Sequence, residues 1–423
     1  MILSQRNQKR IVCAFFPIYT IIYLLLMFKI KITGYIGTPL IALIFLCSLA
    51  GFAKKMPSSK GLSLFNIWAC YCLLSIFMYV INGMPLACYM FGLQHYFFPL
   101  LFFYIGYNKI HTDDSFYNSF LISCVLIFFY GFYLYFVTPS YYTSYLAEML
   151  QSTWYFDNPY VDESTIMSIQ KFSSFMSSPY VTCVYSISLM SIAFGFLFRD
   201  TKFHQRFLYV MAIVGLIGAF LCQQRIAIAS SLILILVFGF YGKLNRNNTI
   251  IYVGLFVVAL FFAFLSLSFL DERISYIAEM INGRIEAMDF SKAMDARSGQ
   301  YMKAADEIFA YILLGKGMGA GGHSAVSHGF VGVCDGEVFH FILEFGVLGF
   351  LIFVCLAYFT LVKAIKNIRM YIIEICIIVF FLLSFVGANT LSQSYLIGPI
   401  FWFCVGRVWN KYYYEQRYKE LLR

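Results

Sequence analysis

The sequence predicts an all-α polytopic membrane protein with about twelve transmembrane helices. Composition points there first. The 423 residues are 61% hydrophobic and 12% charged, against about 45–50% apolar and about 25% charged in water-soluble domains. Mean hydropathy is +0.77. Apolar runs of about twenty residues, enough to cross the hydrocarbon core of a bilayer, recur along the chain. Aromatic residues make up 20%, which suits interfacial belts and tightly packed helices.

Taken in order, the runs place spans at 11–29, 34–53, 61–82, 86–107, 116–137, 177–198, 206–222, 226–241, 250–270, 338–362, 370–388 and 392–410. No small-residue cleavage site follows the first run, so it reads as a retained span. Lys and Arg fix the orientation. With the N-terminus in the cytoplasm, the cytoplasmic segments collect twenty of the thirty basic residues, among them Arg6, Lys9, Lys109, Arg199, Arg407 and Arg417. Both termini are then cytoplasmic. The whole chain, 1–423, reads as one transmembrane domain with two large outer loops, 138–176 and 271–337. The net charge of +9 marks the inner face of a membrane protein, not a nucleic-acid surface. The twelve Cys are scattered, mostly in apolar runs, and form no CxxC or disulfide framework.

The second loop has internal order. Ile274, Ile277, Ile281, Ile285 and Met288 recur at helical spacing and predict an amphipathic helix along the outer leaflet. Tyr301, Ala304, Ala305, Ile308, Phe309 and Ile312 predict a second helix that stops at Gly315, where glycines take over.

The chemistry-bearing residues gather at the outer side. Arg225 lies in FLCQQRIAIASS, at the hydrocarbon boundary. Such a charge faces a polar cavity or partner, and its planar fork suits phosphate; the bland alternative is an interfacial, snorkelling Arg. Arg297 opens a loop helix, where pairing with Asp295 or Asp306 is the competing reading. Gly317-x-Gly319-x-x-Gly322 matches a dinucleotide fingerprint only formally, because no strand precedes it; it reads as flexible backbone passing close to a ligand or the membrane. His323, His328, Cys334, Asp335 and His340 match no common zinc spacing. A helix starting near Gly336 puts Glu337, His340 and Glu344 on one face. That polar stripe is either a general base or proton-handling site, or a set of packing partners.

These segments resemble the bacterial O-antigen polymerases (Wzy-type) and, more distantly, the O-antigen ligases. KFSSFMSSPY, Lys171 to Tyr180, is similar to the family's Arg-x-x-Gly-x-Phe-x-x-Pro segment, with Lys where Arg is common. QQRIAIAS resembles its Ser-Arg-small motif, and RSGQYMKAADEIFAYILLGKGMG its Arg helix ending in Leu-x-Gly-x-Gly. DGEVFHFILEFGVLG is similar to the His-Asn-x9-Gly-x-x-Gly segment, but Asp335 and Gly336 stand where the ligases carry His, which disfavours the ligase.

The resemblance implies a GT-C-like fold in the bacterial inner membrane with the active site facing the periplasm. It implies transfer of a growing glycan from undecaprenyl diphosphate onto a new lipid-linked repeat unit. Arg225 and Arg297 would clamp the diphosphate, and Asp335, Glu337 or His340 would take the acceptor proton. Lys171, His323 and His328 are further substrate-binding candidates. No cofactor or metal is implied; expected partners are the bilayer, a chain-length regulator and a flippase. The alternatives are a ligase-type transferase and a lipid-linked oligosaccharide flippase. Alternating-access transporters tend to show paired halves and midplane polar groups, whereas here the polar groups gather outside.

Overall fold

The computed structural model describes residues 5–27, 57–138, 171–176, 178–199, 205–222, 224–242, 305–321, 325, 336–385, 391 and 396–421. Among the described residues every regular element is helical. In chain order these are α1 (Gln5–Met27), α2 (Lys60–Leu74), α3 (Ile76–Ile81), α4 (Leu86–Gly92), a π-helical turn (Leu93–Phe97) and α5 (Phe98–Tyr107). A 3₁₀ turn (Lys109–His111) leads to α6 (Ser115–Val137), α7 (Pro179–Phe198), α8 (Gln205–Leu221) and α9 (Arg225–Gly242). The last four are α10 (Glu337–Ile365), α11 (Ile368–Ser384), α12 (Gly398–Trp409) and α13 (Lys411–Leu421).

Among the described residues, six helical stretches are long and apolar enough to cross a membrane: Gln5–Leu25, Lys60–Ile81, Leu86–Tyr107, Ser115–Val137, Pro179–Phe198 and Glu337–Ile365. The described residues thus form an all-helical body with the character of a membrane protein. α8, α9, α11 and α12 are shorter and fall where spans are expected. The expected spans 34–53 and 250–270, most of loop 138–176 and the amphipathic helix at 274–288 lie outside the described residues. Of the second loop helix, residues 305–310 are helical and the turn at 311–314 ends it before Gly315, as the glycine run predicts.

Local chemistry sets several starts. Ser59 caps α2, its Oγ accepting from the Leu62 N–H at 3.1 Å. Ser178 caps α7 and is followed by Pro179, whose missing N–H costs nothing at a first helical position. α7 is the most enclosed span, with 89% of its apolar window buried. Its buried hydroxyls are satisfied by its own backbone: Ser186 donates to Thr182 O and Ser191 to Ile187 O, both at 2.8 Å.

Where water drives no association, helices are held by close packing. α5 and α12 meet most closely. A Cβ on Gly406 would lie 2.1 Å from Phe103 O, and one on Gly106 2.3 Å from Phe403 O. α10 packs on α2 and α11 through rings: Trp68 stacks on Phe341 with centroids 5.7 Å apart, and Phe353 on Phe385 at 5.4 Å.

α7 and α11 run antiparallel, which lets the two ends of the bundle be told apart. Gly195, late in α7, packs on Ile373, early in α11. The other end of that pair therefore brings the start of α7 beside the end of α11. There Val338, opening α10, donates its N–H to Phe385 O at 3.4 Å, and Phe172 donates to Leu221 O at 3.1 Å.

Candidate functional site

The start of α10 carries the polar stripe. The helix begins at Glu337, directly after Gly336, and Glu337, His340 and Glu344 are all buried. Glu337 Oε2 accepts the Leu391 N–H at 3.0 Å. His340 Nδ1 faces Glu344 Oε1 at 3.9 Å, and that same oxygen accepts the Gly321 N–H at 3.0 Å. Ionisable groups at this depth are costly unless paired; here backbone donors from two other segments meet the two carboxylates.

α10 is not continuous. Gly346 adopts φ 65° and ψ 178°, conformations open to glycine and strained for other residues. The break frees backbone groups that apolar surroundings would leave unpaired. The glycine segment satisfies them. Lys316 N–H donates to Leu343 O at 2.7 Å and Gly317 N–H to Glu344 O at 2.9 Å. In return, Val347 N–H donates to Ile312 O at 2.7 Å and Leu348 N–H to Leu313 O at 3.3 Å. α2 and α3 hold the segment from behind: Tyr71 OH donates to Phe345 O at 2.7 Å, Tyr79 OH to Met318 O at 2.7 Å, and Met318 N–H to Ser75 Oγ at 3.2 Å.

This corrects the reading of the glycines as flexible backbone. Residues 315–321 are buried, and their small size admits other backbone: a Cβ on Gly319 would lie 2.4 Å from Cys88 O. Gly317 and Gly319 of the dinucleotide-like spacing serve this packing, and Gly322 lies outside the described residues. Lys316, inside the segment, pairs with Glu307.

A narrow cleft of about 10 Å³, room for about one water, opens beside the stripe. Its walls include Trp68, His95, Tyr96, Phe341, Leu391 and Trp402. The π-helical turn Leu93–Phe97 supplies His95 and Tyr96, and such turns often occur at functional sites. Hydropathy gave no sign of it.

Lys171 and Arg225 share a second locus at this end of the bundle. The Phe172–Leu221 bond ties the Lys171 segment to the α8–α9 corner, where α9 begins at Arg225. Lys171 is half-buried and acts electrostatically on Cys222. The side chain of Arg225, and all of Arg297, His323, His328, Cys334 and Asp335, lie outside the described residues. Among the described residues no three His, Cys, Asp or Glu side chains gather as a metal site would require.

No family model and no curated protein matches the chain.

At the opposite end lies a charge cluster that sequence reasoning missed. Asp114 pairs with Arg407 at 2.6 Å, with Arg199 at 3.8 Å and closely with Arg417. Glu374 accepts from Tyr117 OH at 2.9 Å and faces Arg199 Nη2 at 3.2 Å and Arg407 Nε at 3.3 Å. Burial alone would raise the Asp114 carboxyl, but Arg407, Arg199 and Arg417 outweigh it and hold it down to about 2. These arginines were sufficiently explained as cytoplasmic charge, and their acidic partners sit in distant parts of the sequence. Lys9 pairs with Asp113 beside them.

Proposed function

We propose that the protein is a polysaccharide polymerase of the Wzy type. It transfers a growing glycan from undecaprenyl diphosphate onto a new lipid-linked repeat unit at the periplasmic face of the inner membrane. One observation carries the reading most: the Lys171 segment, the corner that begins at Arg225 and the Glu337–His340–Glu344 stripe occupy the same end of the bundle. The positive-inside count assigns that end to the outside, with Lys9, Arg199, Arg407 and Arg417 at the other. Both termini are then cytoplasmic.

In this reading Arg225 and Arg297 stabilise the charge that builds on the departing diphosphate. His340 takes the proton of the acceptor hydroxyl. Asp335 and Glu337 are the alternative bases, Glu337 Oε2 being engaged by the Leu391 N–H. Tyr and Trp of the outer loops give flat faces on which sugar rings stack.

The test uses cells that make a lipid-linked repeat unit. Arg225→Ala and Arg297→Ala each abolish long-chain glycan and leave single-repeat product on the cell surface. Normal ladders in both variants overturn the diphosphate clamp. With purified protein and a synthetic undecaprenyl diphosphate repeat unit, chains grow without added metal or nucleotide.

A second reading, a flippase for the same lipid, is favoured by one feature. α10 is interrupted at Gly346 with a buried acid beside the break, and broken helices of this kind build transporter binding sites. A flippase defect strands the repeat unit inside the cell, whereas a polymerase defect leaves it outside.

A further inference from the structure

Two groups in the stripe are related in a way that the polymerase reading does not require. Glu344 Oε1 sits at a junction: it accepts the Gly321 N–H at 3.0 Å and stands 3.9 Å from His340 Nδ1, one helical turn earlier. Gly321 closes the arrangement from the other side. A Cβ there would lie 2.9 Å from His340 Nδ1 and 3.3 Å from Glu344 Oε1, so a side chain would shift the imidazole and crowd the carboxylate. The loop thus holds the acid with its backbone donor and admits the ring through its missing side chain. Three segments enforce the geometry: α10 itself, the glycine segment, and α2–α3, which fixes that segment through Tyr71, Ser75 and Tyr79. Cys72 and Tyr79 are titratable groups electrostatically coupled to the carboxylate, and the Tyr79 hydroxyl is already given to Met318 O.

We propose that Glu344 is the positioning residue of a carboxylate–imidazole pair, orienting His340 so that Nδ1 carries the proton and Nε2 presents its lone pair. This rests on the polymerase reading for its chemical use. A histidine nitrogen is made donor or acceptor by what its other nitrogen faces, and a buried carboxylate stabilises the imidazolium that forms during proton transfer. In the transfer step, Nε2 accepts the acceptor hydroxyl proton as that oxygen bonds to the anomeric carbon. The bond from the anomeric carbon to the diphosphate oxygen breaks, and its electron pair leaves on the diphosphate. The positive charge appears on the ring beside Glu344. Contacts at such pairs are often long before substrate binds and tighten in the reacting complex, which fits a 3.9 Å separation.

The test pairs kinetics with a spectroscopic readout. Glu344→Gln keeps an acceptor for the Gly321 N–H but removes the charge. In elongation assays with the synthetic lipid-linked repeat unit it lowers kcat by about 100-fold or more and leaves KM within a small factor. Gly321→Ala, which displaces the ring, lowers kcat likewise. Solid-state ¹⁵N spectra of histidine-labelled full-length protein report the tautomer, with His340 assigned by its loss in His340→Gln. The expected result is an Nδ1–H imidazole in the wild type and a shifted tautomer population in Glu344→Gln. Wild-type kcat in Glu344→Gln, or an Nε2–H tautomer in the wild type, overturns the proposal. The wild-type tautomer decides even if Glu344→Gln and Gly321→Ala fail to fold. Failure of the wild type to elongate any chain would defeat the polymerase reading alone, because the tautomer is measured without substrate.

Discussion

At the scale of single residues, the cluster of Asp114, Glu374, Arg199, Arg407 and Arg417 sets the strongest demands. Arg407 and Glu374 are both fully buried, and Glu374 is satisfied by two guanidiniums and a tyrosine hydroxyl. A buried ion pair adds little over an apolar pair, but removing one partner strands the other charge at about 3–5 kcal/mol. Arg407→Ala is therefore expected to lower unfolding stability by about that amount, measured as loss of thermal stability in detergent or nanodiscs. The double variant Arg407→Met with Glu374→Gln is expected to recover much of the loss. A double variant as damaged as the sum of its two singles would mean that the charges do not compensate one another. The sequence could not reveal this cluster. Its members lie up to 303 positions apart, and the arginines were already accounted for by the charge bias of cytoplasmic segments. By contrast, Glu337, His340 and Glu344 were legible as one stripe, because helical spacing is a local property.

At the scale of elements, length and apolarity predicted the described helices well, since a run of about twenty apolar residues has few alternatives in a bilayer. Hydropathy is blind to irregular backbone inside such runs. The π-helical turn at Leu93–Phe97 and the break at Gly346 both sit within helical spans whose mean apolarity hides them. Both depend on what packs alongside. Gly346→Ala is expected to be severe. Its Cβ would lie 2.2 Å from Leu313 O, and its φ of 65° strains any other residue. Backbone strain of this kind costs about 1–3 kcal/mol before the clash is counted. Size-exclusion profiles and melting curves of the purified variant measure it; an unchanged melting temperature would show that the break is not held by its neighbours.

At the scale of the whole molecule, the end that carries the charge cluster makes stability depend on pH. His111 is buried in the turn between α5 and α6. Burial, helped by Lys9 and Arg407 and opposed by Asp113, lowers its imidazole from 6.5 to about 3. Between those values the unfolded chain binds a proton that the fold refuses. Stability therefore falls as pH drops below 6.5, with a slope of up to about 1.4 kcal/mol per pH unit from this residue. Asp114 acts with the same sign in a lower window: its contribution is full above its unfolded value of 3.8 and is lost only as pH falls through about 2. It is silent near neutrality. Melting temperatures taken from pH 7 to pH 5 are expected to decline in the wild type and to decline less in His111→Gln. Parallel curves would remove His111 from the account.

The break in α10 also bears on the order of assembly. Chains are made from the N-terminus, so residues 312–317 leave the ribosome before the helix that completes their hydrogen bonds. Until both halves of α10 arrive, the amides of Lys316 and Gly317 and the carbonyls of Ile312 and Leu313 lack the partners they have in the fold, and water must serve them. The seam between loop and helix therefore closes late, after α2 and α3 have formed the wall against which it seats.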